Sequence, residues 1–364
     1  MLSFIATSYA GAQPRVTGPG NDFTGLRRLD LAEGAFPPSP AVMRALLSVR
    51  RSALSELPDR EAKRLRGAIA NFLGVTLENV AVFSGTDEII DLIPRTYLNL
   101  GDVALAVVPT FGRLVRTSEK VGARVAWHAL REDRDFTLGP DEAAGIAEDV
   151  VRAGARIVWL CSPGNPTGRV IATEVVGLLA GQLPDVKFIV DEAYQEYESL
   201  DPRRSSVSLI AKYENVIVLR TFSKAFGLAG VRIGYAVAAE QTCAEIATLR
   251  IAFSTSRVGQ ELAVAALGDL GYTQRLVASV GTERQRLERV LDANGALAYV
   301  RGSVSNILLV RHRHADLHAI LARHGIASLD LQGSPGLAGA NYVRISIGRQ
   351  NDNRHLRHVI RSLS

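Results

Sequence analysis

Seven short, mostly apolar runs rich in β-branched residues fill the middle of this chain. They cover residues 80–83, 103–108, 124–127, 157–161, 188–190, 216–219 and 233–238, and a Gly/Pro/Ser/Thr loop and a helical segment recur between them. Continuous apolar runs bounded by turn residues suit strands buried on both faces. Alternation with helices implies a mostly parallel sheet covered on both sides, an α/β fold. The flanks differ. Residues 1–40 are rich in Gly, Pro and small polar residues and read as an extended arm. Ser39-Pro40 reads as the cap and first turn of a helix, and a second helix is expected over residues 59–73, ended by Gly74. Beyond about residue 245, long helical stretches lead to short strands at 305–310 and 342–347. The expected organisation is an arm (1–40) joining a small α+β domain (246–364), with a large domain (41–245) holding the seven-stranded sheet.

Composition excludes several classes. Of 364 residues, 47% are hydrophobic and 22% charged, which gives ample apolar surface to bury and excludes disorder for most of the chain. No apolar run is long enough to predict a membrane span. Two cysteines, Cys161 and Cys243, cannot form a disulfide framework, and the first dozen residues lack the basic start of a signal peptide, so a cytoplasmic protein is expected. The net charge of +5 is mild, and acidic residues interleave with the basic clusters, so no nucleic-acid partner is expected. His312, His314, His318 and His324 are unaccompanied by cysteines or carboxylates at metal spacing, so no metal is expected.

Ligands of open α/β sheets sit beyond the carboxyl ends of the strands, so the residues following each run are the candidate site. Residues 80–83 are followed by Ser84-Gly85-Thr86-Asp87-Glu88, a glycine turn opening a helix whose free N–H groups can hold an anion. Residues 103–108 are followed by Pro109-Thr110-Phe111-Gly112, where Phe111 can stack on a planar ring. After 157–161 comes Ser162-Pro163-Gly164-Asn165-Pro166-Thr167-Gly168, a rigid turn presenting Asn165. After 188–190 comes Asp191-Glu192-Ala193-Tyr194. A carboxylate at the end of a buried strand needs a cationic partner, either a protein cation or a protonated ring nitrogen. After 216–219 comes Arg220-Thr221-Phe222-Ser223-Lys224-Ala225-Phe226-Gly227, and Arg232 follows. Lys224 is one of only five lysines and lies among apolar and small residues. Desolvation there favours the neutral amine, the form that makes a Schiff base.

SPGNPTG, DEAY and TFSKAFGLAGVRIGY, in this order, resemble the fold type I pyridoxal-phosphate enzymes. They are most similar to class II aminotransferases of the histidinol-phosphate aminotransferase group, over nearly the whole chain from about residue 30. The resemblance implies pyridoxal 5'-phosphate as cofactor, a homodimer, and amino-acid and 2-oxo-acid substrates. It implies Lys224 as the Schiff-base lysine (the internal aldimine) and later the general base, Asp191 as partner of the pyridinium nitrogen, and Asn165 and Tyr194 as donors to the phenolic oxygen. Phe111 would stack on the ring. Gly85, Thr86 and Asp87 at the helix start, with Thr221, Ser223 and Arg232, would hold the phosphate. Arg344 would clamp the substrate carboxylate, with Gly34 and Asn165 beside it.

Three departures from the family pattern stand out. Leu329 occupies the position where that group carries an arginine for the substrate phosphate, which argues against histidinol phosphate and for an uncharged or apolar side chain. Leu57 replaces the tyrosine that a neighbouring subunit supplies to the cofactor phosphate. Ala32-Glu33-Gly34-Ala35 replaces an Asn-Glu-Asn-Pro string. An aminotransferase acting on a different substrate is therefore expected. A threonine-phosphate decarboxylase-like enzyme or an oxidase would use the same cofactor residues and stands as the alternative. A pyridoxal-binding transcriptional sensor is disfavoured, because no helix-turn-helix pattern precedes the domain. A dinucleotide-dependent dehydrogenase is disfavoured, because no G-x-G-x-x-G follows a predicted strand.

Overall fold

The computed structural model describes residues 25–337 and 339–363; residues 1–24 of the expected arm lie outside them. Thirteen strands occur among the described residues: β1 (Arg27–Arg28), β2 (Val80–Phe83), β3 (Val103–Val108), β4 (Arg124–Ala129), β5 (Ala155–Cys161), β6 (Lys187–Asp191), β7 (Val216–Thr221), β8 (Gly234–Val237), β9 (Leu297–Tyr299), β10 (Ile307–His312), β11 (Ile326–Ala327), β12 (Leu329–Asp330) and β13 (Tyr342–Ser346). The seven apolar runs of the sequence form one seven-stranded sheet in the order β2-β8-β7-β6-β5-β3-β4.

Only β8 runs against its neighbours, β7 and β2. Between β7 and β8 the chain holds one short 3-10 turn, Ala229–Val231, and no crossover helix. A parallel return needs a long crossover, so β8 comes back antiparallel. That short connection carries Lys224. Alternate residues of the central strands enter two different cores. Val158, Leu160, Phe188, Val190 and Val218 point to one face, and Ile157, Trp159, Ile189, Ile217 and Leu219 to the other. Each such side chain contributes roughly 1.5–3 kcal/mol on burial, which fixes the register and hence the position of every strand end.

The first helix, Pro40–Leu47, starts where the sequence places it: the Ser39 side chain accepts from the Val42 N–H at 3.3 Å. The second spans Lys63–Leu73, four residues later than expected at its start. Asp59 accepts from the N–H groups of Glu61 and Lys63, so the side chain competes with the helix and holds a turn instead. The helix Arg257–Leu267, beyond the sequence boundary at 245, places Leu262, Ala263 and Ala266 in the large core.

A second sheet, β12-β13-β10-β9, is antiparallel throughout. The helices Leu270–Asp292, Leu317–Arg323 and Gln350–Arg361 share its core through Leu287, Leu321 and Leu356. β1 pairs in parallel with β11, Arg27 opposite Ile326. Chain just after β1 therefore passes between the two sheets. On β13, Val343 and Ile345 enter the small core, whereas Tyr342 packs with Phe136 of the large sheet's loops. Arg344 shares the face of Tyr342, because strand residues two apart point the same way.

Candidate active site

The carboxyl ends of β5, β6 and β7 converge on one point. Cys161 and Asp191 are register partners at the ends of β5 and β6, and Thr221 ends β7. Asn165, Asp191, Tyr194, Thr221 and Ser223 are all buried. The Lys224 ammonium lies 5.6 Å from the Tyr194 ring centre and donates to the carbonyls of Leu31 (3.3 Å) and Ala32 (3.1 Å). Burial, with Arg344 second, lowers the Lys224 pKa to about 8, so a useful fraction is neutral near physiological pH. Burial likewise pushes Asp191 up to about 7, with one backbone N–H, that of Ala193, donating to it at 3.2 Å and Lys224 opposing the rise more weakly. A permanent cation beside Asp191 would restore its ionised form. Burial raises Tyr194 to about 12, so its hydroxyl stays a donor.

Arg344 crosses from the small sheet into this point. Its Nη1 donates to Asn165 Oδ1 at 2.8 Å, its Nη2 donates to the Asp30 carbonyl, and its Nε is buried without a partner. The Asn165 amide oxygen is thus taken, which orients Nδ2 as the group left to donate. Residues 30–34 lie against both Lys224 and Arg344. They are pinned from the small domain: the Ala32 N–H donates to Ser346 Oγ at 2.9 Å, and Asn306 Nδ2 donates to the Glu33 carbonyl at 3.1 Å. A Cβ on Gly34 would stand 3.2 Å from the Gly227 Cα and 3.3 Å from the Lys224 carbonyl, so the strap fits tightly only with glycine there.

On the other side, β2 and β8 bring together an oxyanion cradle. Gly85 opens the helix Gly85–Tyr97 with φ +73°, and a Cβ on it would stand 2.5 Å from Arg232 Nη2. Arg232 Nη1 reaches Ser223 Oγ at 3.5 Å, and the Thr221 hydroxyl donates to Ser223 Oγ at 3.0 Å. Asp87 holds Arg232 Nη2 at 3.0 Å and Arg113 Nε at 3.0 Å. Its contribution is therefore to aim a guanidinium, since a carboxylate would itself repel an anion. The first-turn N–H groups of this helix have no intrahelical partner. Phe111 caps the helix Gly112–Lys120 and lies half-buried beside the same strand ends. The neighbouring Thr110 hydroxyl is buried without a partner. A phosphate with a planar, protonated ring fits these donors, the orphaned Thr110 hydroxyl and the unbalanced Asp191.

Sequence reasoning missed three contributors. The Leu31 and Ala32 carbonyls and the Asp30 carbonyl act through the backbone, which leaves no residue-type signal. The third is a buried cluster behind the site. Arg220, before Thr221, binds Glu192 Oε2 at 3.0 Å and Glu196 Oε1 at 2.8 Å, and Glu192 also accepts from Ser205 Oγ and the Ser206 N–H. Adjacent carboxylates after a strand were its only sequence trace. Two of the three departures, Leu57 and Leu329, also have places. Leu57 is exposed, and Leu329 on β12 lies directly opposite Arg344 on β13.

The family model "Aminotransferase class I and II" matches residues 28–361. The chain belongs to that family. A histidinol-phosphate aminotransferase of Roseiflexus castenholzii is 34% identical over 346 residues, 93% of this chain and 89% of that protein. The crystal structure of the histidinol-phosphate aminotransferase from Sinorhizobium meliloti in complex with pyridoxal-5'-phosphate superposes with a TM-score of 0.80 at 28% identity, covering 93% of this chain and 91% of that one. The protein is a pyridoxal-phosphate-dependent aminotransferase with the fold type I architecture, similar to histidinol-phosphate aminotransferases. The L-threonine-O-3-phosphate decarboxylase of Porphyromonas gingivalis has a TM-score of 0.75 but only 18% identity, with 92% and 98% of the two chains covered. That likeness is one of fold, and decarboxylation or oxidation is not the favoured reading of this aminotransferase. Among the described residues no helix is long and apolar enough to cross a membrane.

Proposed function

We propose that this aminotransferase takes its amino group from an α-amino acid with an uncharged side chain, gripping the carboxylate with Arg344. The carrying observation is the register of β12 on β13, which sets Leu329 directly across from Arg344. Leu329 packs against the cluster that holds Phe136, Leu309 and Tyr342, so an apolar wall stands beside the carboxylate clamp. The relatives named for histidinol phosphate act on a donor with a phosphate, and at this wall a phosphate would lose its hydration without gaining a charge partner.

The residues divide the work as follows. Asp191, Asn165, Tyr194 and Phe111 would hold the cofactor ring. Gly85, Thr86, Thr221, Ser223 and Arg232 would hold its phosphate, with Asp87 steadying Arg232. When bound, the cofactor supplies an aldehyde for amines and a ring that accepts the electron pair released at the substrate Cα. Lys224, with its pKa lowered to about 8, supplies a neutral amine for attachment and then removes and returns the proton at Cα. Arg344 fixes the carboxylate through its forked N–H donors, which sets the direction of the Cα–H bond. Asn165, held by Arg344, links the carboxylate clamp to the ring oxygen's donor. The strap at residues 30–34, with Gly34, excludes water from the Lys224 side. The working unit is a homodimer that covers the exposed side chains of Leu47, Leu54, Leu57 and Ile251, and the compartment is the cytoplasm.

The test mixes cofactor-loaded enzyme with single donors, without oxygen and without a 2-oxo-acid acceptor. Uncharged amino acids are expected to yield one equivalent of 2-oxo acid and to discharge the cofactor's aldehyde absorbance. Histidinol phosphate should react at least tenfold more slowly. Lys224→Ala should show no turnover and no covalent cofactor while its far-ultraviolet circular dichroism is unchanged. Histidinol phosphate reacting fastest would overturn the substrate class. Carbon dioxide release would overturn transamination as this chain's reaction, and turnover by Lys224→Ala would overturn the site.

A further inference from the structure

The strap at residues 30–34 contains one backbone geometry that its sequence does not favour. Ala32 is buried and has φ +52°, in the left-handed region that a residue with a Cβ rarely occupies. Such a conformation persists only where its surroundings over-determine it. Here both polar groups of the residue are held. Its N–H donates to Ser346 Oγ at 2.9 Å, and its carbonyl accepts from Asn306 Nδ2 at 3.4 Å and from Lys224 Nζ at 3.1 Å. Asn306 and Ser346 stand side by side at one end of the small sheet. Asn306 immediately precedes β10, and Ile307, the first residue of β10, is the register partner of Ser346, the last of β13. The two form a clip around one strap residue.

Two features set this clip apart from ordinary packing. Asn306 is fully buried and commits its amide nitrogen to the Ala32 and Glu33 carbonyls, the second at 3.1 Å, while its Oδ1 has no partner among the described residues. A buried oxygen left unpaired is costly, and an apolar side chain would fill the place without that cost. The strap carbonyls also end on the two cations of the site. Leu31 and Ala32 accept from Lys224, and Asp30 accepts from Arg344. At the negative φ that alanine prefers, the chain turns differently at residue 32 and these carbonyls lose their aim.

We propose that Asn306 and Ser346 are positioning residues for Lys224, acting through the left-handed Ala32 to seat the strap over the amine and keep water from it. This rests on Lys224 as the amine that attaches the cofactor. Water can replace the strap carbonyls as acceptors, so what the amine loses when the strap lifts is its dryness. Burial is the first cause that lowers Lys224 to about 8, so hydration returns it towards the ordinary lysine range and leaves less neutral amine at pH 7. The charged groups around the amine are Arg344 on β13, Glu33 on the strap, Asp191 at the end of β6 and Asp87 in the helix Gly85–Tyr97. Of these only Glu33 is carried by the strap.

The test follows attachment of pyridoxal 5'-phosphate to the full-length, cofactor-free protein by absorbance across neutral and alkaline pH, and reads the midpoint of the rate profile. Asn306→Ala should move the midpoint upward and slow attachment at pH 7 by roughly threefold or more, since each pH unit of rise removes about nine-tenths of the neutral amine. Ser346→Ala should shift it the same way, and it stands in if Asn306→Ala does not fold by circular dichroism. Ala32→Gly added to Asn306→Ala should recover at least half of the lost rate, because glycine takes a positive φ without strain. Glu33→Gln should move the midpoint downward, the opposite sign, because it removes a negative charge near the ammonium. No rise in either Asn306→Ala or Ser346→Ala would overturn the proposal. A rise that Ala32→Gly leaves uncorrected would trace the effect to the void left by the asparagine and overturn it as well. Covalent attachment surviving in Lys224→Ala would instead sink the lysine assignment beneath it.

Discussion

Asp191 and Lys224 owe their unusual acidities first to burial, and the two respond to pH with opposite sign. The Asp191 carboxyl moves from 3.8 to about 7 on folding. A raised folded pKa means that the stabilisation present below pH 4 is lost as pH rises through about 7. Above that, the cofactor-free protein carries a buried carboxylate without a matched cation, at a cost of about 4 kcal/mol at ~1.4 kcal/mol per pKa unit. Asp191→Asn should therefore stabilise the cofactor-free protein at pH 8, by about 1–4 kcal/mol in urea unfolding, and by nothing measurable at pH 4. In the loaded enzyme the same change should abolish most turnover, because the ring nitrogen loses its counter-charge. Equal stabilisation at both pH values would show that packing, not ionisation, is responsible. These two residues were legible in the sequence because a charge at the end of an apolar strand, and a scarce lysine in an apolar loop, are costly unless used. The Leu31, Ala32 and Asp30 carbonyls were illegible for the opposite reason, since any residue type offers a carbonyl and only the path of the chain aims it.

At the scale of elements, the strand ends set the chemistry. The central strands could be read from composition because continuous apolar runs have one buried solution. The reversal of β8 could be read only from the short connection behind it, which the sequence does not mark as free of a crossover helix. The second helix began four residues late because Asp59 competes for its N–H groups. The Arg220–Glu192–Glu196 cluster left little trace because Arg220 is 24 to 28 positions from the two glutamates in sequence and meets them only once β6 and β7 pair. β12 offers the sharpest test of specificity, because two residues long it still sets Leu329 across from Arg344. Leu329→Arg should raise kcat/KM for histidinol phosphate at least tenfold and lower it for uncharged amino acids by a similar factor. A charge-assisted contact is worth about 1.5–3 kcal/mol, which sets that range. Steady-state kinetics on both donors checks it, and a fall on both together would mean that the wall is structural.

For the whole molecule, the question is what covers its exposed apolar residues. Leu47 is 84% exposed, Leu54 76%, Leu57 67% and Ile251 68%. Arg257 reaches back to the Leu57 carbonyl at 2.6 Å and to Glu56 at 3.3 Å, which ties the start of the helix Arg257–Leu267 to the segment that carries Leu57. Large apolar side chains this exposed mark an interface where they gather on one surface. Burying four such side chains on each protomer contributes at most roughly 12–24 kcal/mol at ~1.5–3 kcal/mol each. Association itself costs on the order of 4–15 kcal/mol. The balance is close enough that these residues decide it, so the chain is expected to sediment as a dimer at micromolar concentration. Leu54→Asp combined with Ile251→Asp should shift it to monomer without lowering the thermal midpoint of the chain by more than a few degrees, because neither side chain enters the core. Sedimentation velocity distinguishes the two states. A monomer in the unaltered protein would leave the apolar face to some other partner. A dimer that survives both substitutions would place the interface elsewhere on the surface.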